Sequence, residues 1–131
     1  MIAVEVRSFS FLKGYPVETS VHGGGFVFDC RCIKNPGQVD HLKPLTGRDG
    51  PVADYLLTET DMPAFLLEIQ AILKRSITSY LKSGYDSLSV SFGCTGGQHR
   101  SLYAAEQTEK WLLQEFKDKV TVVKNHREFP E

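Results

Sequence analysis

The chain has 131 residues and a formal net charge of −1, with 41% hydrophobic and 24% charged residues, values suited to one folded domain with a core of its own. No apolar run reaches the ~20 residues of a membrane span, and Met1-Ile2-Ala3-Val4-Glu5-Val6-Arg7 meets charge before a leader-like stretch can develop. The expectation is a single cytoplasmic domain over residues 1–131, with no global electrostatic footprint for nucleic acid but room for a local basic face.

Ile2, Val4 and Val6 alternate with Ala3, Glu5 and Arg7, the period of a first strand. Lys13-Gly14-Tyr15-Pro16 is a turn, and His22-Gly23-Gly24-Gly25 reads as a surface loop because no Gly-x-Ser-x-Gly nucleophile elbow accompanies it. Phe26 to Ile33 predicts a second strand, with Phe26, Phe28, Cys30 and Cys32 on one face and Val27, Asp29, Arg31 and Ile33 on the other. Asp29 and Arg31 on an otherwise apolar face are either an internal pair at the strand end or groups facing a polar ligand. Cys30 and Cys32, two apart on one strand face, have little freedom to bond each other, and with Cys94 they make an odd count. Reduced thiols in a reducing compartment follow.

Residues 41–51 are dense in turn formers and polar donors, a candidate site loop. Pro51 to Leu57 predicts a short helix. Asp61 and Pro63 then start a long one whose stripe runs through Phe65, Ile69, Ile72, Leu73, Ile77, Tyr80 and Leu81 to Gly84. Leu88, Val90 and Phe92 alternate with serines as a central strand. Ala104, Ala105, Thr108, Trp111 and Leu112 recur at helical spacing, Lys119 to Asn125 is a β-branched strand, and His126 to Glu131 reads as a solvated tail. Strands separated by helices imply an α/β domain with a mainly parallel sheet covered on both faces, its sites at the carboxyl ends of the strands.

Gly93-Cys94-Thr95-Gly96-Gly97-Gln98-His99-Arg100-Ser101 lies between the central strand and the next helix. Unpaired amides and the helix dipole converge there on one spot, which suits an anion. Thr95 and Ser101 add hydroxyls, and Arg100 is expected to turn its planar fork toward a phosphate rather than into the core. His99 either donates to a ligand oxygen or closes the loop. Cys94-x5-Arg100-Ser101 also has the spacing of a cysteine-dependent phosphatase, although Gly93 stands where tyrosine phosphatases carry histidine and no aspartate is marked as the acid. No zinc spacing and no Gly-x-x-x-x-Gly-Lys-[Ser/Thr] loop occurs, so neither metal nor cofactor is expected.

Ser8-Phe9-Ser10-Phe11, Phe28-Asp29-Cys30-Arg31 with Asn35-Pro36, Leu42-Lys43-Pro44-Leu45-Thr46-Gly47 and the Gly-Cys-Thr-Gly-Gly-x-His-Arg-Ser block occur in that order over nearly the whole chain. Together they resemble the C-terminal domain of the RNase adaptor RapZ and its YvcJ relatives. The resemblance implies a single three-layer Rossmann-like domain, similar to a phosphofructokinase subdomain, acting as a non-catalytic regulatory module. It implies an amino-sugar phosphate such as glucosamine 6-phosphate as ligand, and in some members RNA. The ligand site it implies comprises Asp29, Arg31, Cys94, Thr95, Gly96, Gly97, His99 and Arg100, to which loop chemistry adds Ser101. Full-length members carry a P-loop domain, so a separate P-loop protein is a candidate partner. The chain departs from the pattern at Gly37, where ligand-binding members commonly have histidine, at Gln98, where some RNA-binding members have lysine, and in a tail without a basic run. Two other readings stay open, the cysteine phosphatase and an RNA-binding adaptor without ligand control.

Overall fold

The computed structural model describes residues 1–18 and 24–130; His22 and Gly23 of the predicted glycine-rich loop lie outside them. The elements are β1 (Ile2–Ser10), β2 (Gly25–Asp29), α1 (Gly50–Thr58), α2 (Met62–Ser83), β3 (Ser87–Cys94), α3 (Arg100–Phe116) and β4 (Val120–His126), with short 3-10 turns between them. The strands form one sheet in the order β2-β3-β1-β4, and every pairing is parallel. This is the single α/β Rossmann-like domain that the alternation of strand and helix patterns predicts.

Alternation sets which side of the sheet meets the helices. Val4 pairs with Leu88 and Val6 with Val90, so their side chains share a face. They join Leu66, Ile69, Leu73 and Ile77 of α2 and Ala104 and Leu112 of α3 in one buried cluster. Removing the side chain of Leu73 or Ile77, both fully buried, would cost about 2–5 kcal/mol. On α2 the buried stripe takes Met62 and Leu66, whereas the predicted Ile72 is 45% exposed. Gly84 ends α2 at φ +77, the left-handed cap that glycine favours. At the other end Asp61 makes no side-chain cap, and Thr60 Oγ1 accepts from Met62 N–H instead.

The other face is covered differently. Segment 11–18 folds over Arg7, Phe9 and Ser89: Arg7 Nη1 donates to Val17 O at 3.2 Å, Ser89 Oγ donates to Glu18 at 2.6 Å, and Phe9, Phe11 and Tyr15 pack ring on ring. A parallel sheet needs cover on both sides, and here helices supply one layer and this loop part of the other.

Two expectations are corrected. The second strand stops at Asp29 and the chain turns through Cys30–Cys32 as a 3-10 helix, so the period-2 face assignment fails there: Cys30 is buried and Cys32 exposed. The Asp29 carboxylate causes the change by accepting from Arg31 N–H and capping the turn. All three cysteines are free thiols, and burial pushes the Cys30 thiol well above its usual range, with the neighbouring Cys94 adding to it. The second correction concerns His126, expected in solvent but 4% exposed as the last residue of β4. Its ring bridges Ser8 Oγ, 2.6 Å from Nδ1, and Glu106 Oε2, 2.6 Å from Nε2. A carboxylate only accepts, so Nε2 carries a proton, and the neutral ring takes the Ser8 hydroxyl proton bond at Nδ1.

Candidate functional site

β3 delivers Cys94 to the carboxyl edge of the sheet, and the chain must then reverse into α3 within five residues, 95–99. Gly97 makes this possible at φ +68, where a Cβ would also lie 3.0 Å from Phe9 C and Ser10 N and 2.9 Å from Glu128 Cγ. Gly97 therefore packs backward onto β1 and the C-terminal turn. Gly96 has open space where its Cβ would stand. Ser10 fixes the loop from behind, its hydroxyl donating to Thr95 O while its own N–H donates to Glu128 at 2.8 Å.

A second loop is fastened over the first. Gln98 Nε2 donates to the carbonyls of Lys43 (2.7 Å) and Leu45 (2.8 Å), and Gly47 N–H donates back to Gln98 O at 3.0 Å. Gly47 sits so close that a Cβ would fall 2.4 Å from His99 O and 2.5 Å from Tyr103 N. His99 Nε2 lies 3.0 Å from Leu42 O. That carbonyl only accepts, so Nε2 carries a proton, and in the neutral tautomer Nδ1 is an acceptor.

Between the loops is a pocket of about 240 Å³ lined by Cys94, Thr95, Gly96, Gln98, His99 and Arg100 together with Asn35, Gly37 and Lys43. The lining holds two permanent cations and no carboxylate. His99 begins α3 without a side-chain cap, so the first amides of that helix are not taken by a side chain.

Of the residues nominated from sequence, Cys94, Thr95, Gly96, His99 and Arg100 meet in this pocket, while Gly97 and Ser101 stand behind it. Ser101 is fully buried with its hydroxyl 3.1 Å from Cys94 Sγ. Asp29 and Arg31 are outside the lining. They close on each other, with Arg31 Nε at 2.9 Å and Nη2 at 2.7 Å from the carboxylate, and the guanidinium lies 4.0 Å over the Phe11 ring. The Arg31 hydrogen bonds, aided by the more distant Arg100 charge, hold Asp29 below the usual carboxylate range. Arg100 differs from expectation: it is 5% exposed, and Nη1 donates to the carbonyls of Ile33 (2.8 Å) and Arg31 (3.2 Å). Turning the chain at Cys30–Cys32 aims those two carbonyls at α3, and the guanidinium satisfies them. Asn35, Gly37, Lys43 and Gln98 were not among the nominated ligand contacts, although Lys43 falls in the 41–51 candidate site loop and Gly37 and Gln98 stand at positions marked as departures from the family pattern. The density of turn formers around them was the available signal.

In an all-parallel α/β domain a glycine loop feeding a helix at the sheet's carboxyl edge occupies the position where sites of this fold class are built. Residues 2–130 match the family model described as the RapZ C-terminal domain, and the chain belongs to that family. It is 40% identical over 122 residues to a nucleotide-binding protein of Methylibium petroleiphilum, covering 93% of this chain and 37% of the relative. It is 37% identical over 131 residues to one of Methylococcus capsulatus, covering 100% and 42%. A relative of the same description from Lactobacillus helveticus is 34% identical over 126 residues, covering 96% and 40%. The chain thus spans about two fifths of the length of these relatives.

Proposed function

We propose that this domain is a non-catalytic regulatory module that binds a phosphorylated small ligand, an amino-sugar phosphate of the glucosamine 6-phosphate kind, in the pocket between residues 94–100 and the Asn35–Lys43 segment. The observation that carries this reading is a carboxylate-free pocket lined by the 94–100 loop, Arg100 and Lys43 beside a helix start. At about 240 Å³ it lies just below the usual ~300–1,000 Å³ of small-molecule sites, a size that favours a sugar phosphate over a dinucleotide. The Nδ1 acceptor of His99 suits a hydroxyl or ammonium on the sugar. The longer relatives are named nucleotide-binding proteins, and the absence of a Gly-x-x-x-x-Gly-Lys-[Ser/Thr] loop from this chain favours assigning that property to their remaining length.

A phosphatase is the weaker reading. Its nucleophile would be Cys94, which is 2% exposed, and no carboxylic acid lines the pocket to protonate a leaving group. The deciding experiment is calorimetry and thermal shift with glucosamine 6-phosphate, glucosamine, inorganic phosphate and a nucleoside monophosphate. The sugar phosphate is expected to raise the melting temperature, since a ligand in excess over its Kd stabilises the fold, and glucosamine is not. Stabilisation by the nucleotide alone would transfer the site to that class.

A further inference from the structure

The sheet face turned away from the helices holds a cavity of about 320 Å³ that shares no residue with the phosphate pocket. Glu5, Arg7 and Phe9 alternate along β1 and project to this side. Asn125 joins them because β4 pairs it with Arg7 in parallel register. Pro16 and Val17 line the cavity from the covering segment, tied down by the Arg7 bond to Val17 O. Arg127 lines it from just past β4, its guanidinium 5.6 Å from the centre of the Phe9 ring.

Bonding capacity is left over around this space. Arg7 is 6% exposed; Nη1 donates to Val17 O and Nη2 to Glu5 Oε1 at 2.8 Å, but Nε is buried with no acceptor. Buried donors are paired in nearly all folded proteins, so an orphan on a residue lining a cavity needs an explanation, and an acceptor on a ligand supplies one. Arg127 spends Nε on Glu128 and Nη2 on the carbonyls of Ser10 and Gly14, and its Nη1 has no hydrogen bond among the described residues. Acceptors are left over as well. Among the described residues Glu5 is bonded through Oε1 alone, and the Asn125 carboxamide has no hydrogen bond. Glu18 also stands 3.9 Å from Arg7 Nη2, so two carboxylates flank the buried guanidinium. A phosphate dianion, which suits the carboxylate-free pocket, is repelled here, whereas a molecule carrying both charges is not.

We infer that this cavity binds a free α-amino acid with an aliphatic side chain. Its carboxylate accepts from Arg7 Nε and Arg127 Nη1, its ammonium donates to Glu5 Oε2 and the Asn125 carboxamide oxygen, and its side chain lies among Phe9, Pro16 and Val17. The volume of about 320 Å³ stands at the small end of the usual ~300–1,000 Å³, as so small a ligand requires. The assignment is independent of the phosphate pocket and stands or falls separately from it.

The end of a peptide offers only one of the two charges, and three probes separate these sources: leucine, N-acetylleucine with the carboxylate alone, and leucinamide with the ammonium alone. Each is titrated over a millimolar range, suited to a ligand of few atoms, into the isotope-labelled chain while the Arg7 Nε–H resonance is followed, that resonance being identified by its loss in Arg7→Lys. Leucine is expected to move it and to bind about tenfold or more tightly than either analogue, the difference of one charged contact. Glu5→Gln should lower leucine to the level of N-acetylleucine and leave N-acetylleucine unchanged. Val17→Asp, at a position 79% exposed, should weaken leucine and N-acetylleucine without lowering the melting temperature. No movement of the Arg7 resonance with leucine, or a leucine preference that survives Glu5→Gln, overturns the inference. So does an analogue that binds as tightly as leucine: N-acetylleucine would give the cavity to a peptide carboxyl terminus, leucinamide to an amino terminus.

Discussion

Arg100 Nη1 lies 2.8 Å from the carbonyl oxygen of Ile33, so a side chain at the edge of a polar pocket is also a buried clamp on the turn that ends β2. Truncation removes a charged donor and strands two carbonyls, and hydrogen bonds to charged groups contribute about 1.5–3 kcal/mol. Arg100→Ala is therefore expected to lose about 2–4 kcal/mol of stability in urea denaturation as well as phosphate affinity. Arg100→Lys, which keeps the charge and one donor, should recover part of the stability. A melting temperature equal to wild type for the alanine variant would show that the clamp contributes nothing.

The two glycines of the anion loop should part company. Gly97→Ala places a Cβ at φ +68 against the backbone of β1 and should cost roughly 1–3 kcal/mol. Gly96→Ala meets nothing within 4 Å and should leave stability within about 0.5 kcal/mol. Because Gly96 borders the pocket, its new methyl group is expected to reduce sugar-phosphate binding in a chain that melts normally. Denaturation and calorimetry on both variants give the comparison, and equal destabilisation by the two would contradict the packing described.

Acid is expected to weaken the fold in two steps through the Ser8–His126–Glu106 network. Burial lowers the His126 pKa, opposed in part by Glu106, so the folded state resists protonating the ring. Burial alone would raise Glu106, but Lys124 and His126 more than reverse it, and its pKa is lowered. Both shifts are downward, so both contribute stability above the unfolded pKa that is lost as pH falls through the folded one. The histidine contribution declines first, below neutrality, and the glutamate contribution follows at more acid pH. His126→Gln should remove the first stage from a plot of melting temperature against pH. A wild-type profile flat from neutral pH to the carboxylate range would refute the coupling.

The strands and helices were legible because their periodicity survives in the fold: Ile2, Val4 and Val6 face the core together, and Gly84 ends α2 where the pattern breaks. The loop after Cys94 was legible for a chemical reason, since a glycine pair between a strand and a helix has few other uses. What escaped the sequence depended on side chains acting at a distance. The Asp29 cap on the Cys30–Cys32 turn overrides the strand period, and the burial of His126 depends on Glu106, twenty positions away along the chain and on a different element. Lys43 and Gln98 belong to the site through backbone contacts between two loops, which no spacing within either loop reveals.

Which cation touches the ligand is the last expectation. Resemblance to the family nominates Arg31, but its fork is spent on Asp29 and both side chains are about half exposed outside the pocket lining. Lys43 lines the pocket, and its ion-pair partner among the described residues is Asp40, 3.2 Å away with a side chain 97% exposed, a contact that water and salt weaken readily. An arriving phosphate competes well with such a pair because it offers more acceptors beside Arg100 and the loop amides. Lys43→Ala is therefore expected to weaken glucosamine 6-phosphate binding about tenfold, near 1.4 kcal/mol, and to flatten the dependence of affinity on salt. Arg31→Ala should change affinity by less than about twofold, because removing an exposed self-contained pair alters little beyond the turn itself. Calorimetry at two salt concentrations on the two variants decides between them, and the reverse order, with Arg31 essential and Lys43 dispensable, would move the bound phosphate out of this pocket to the end of β2.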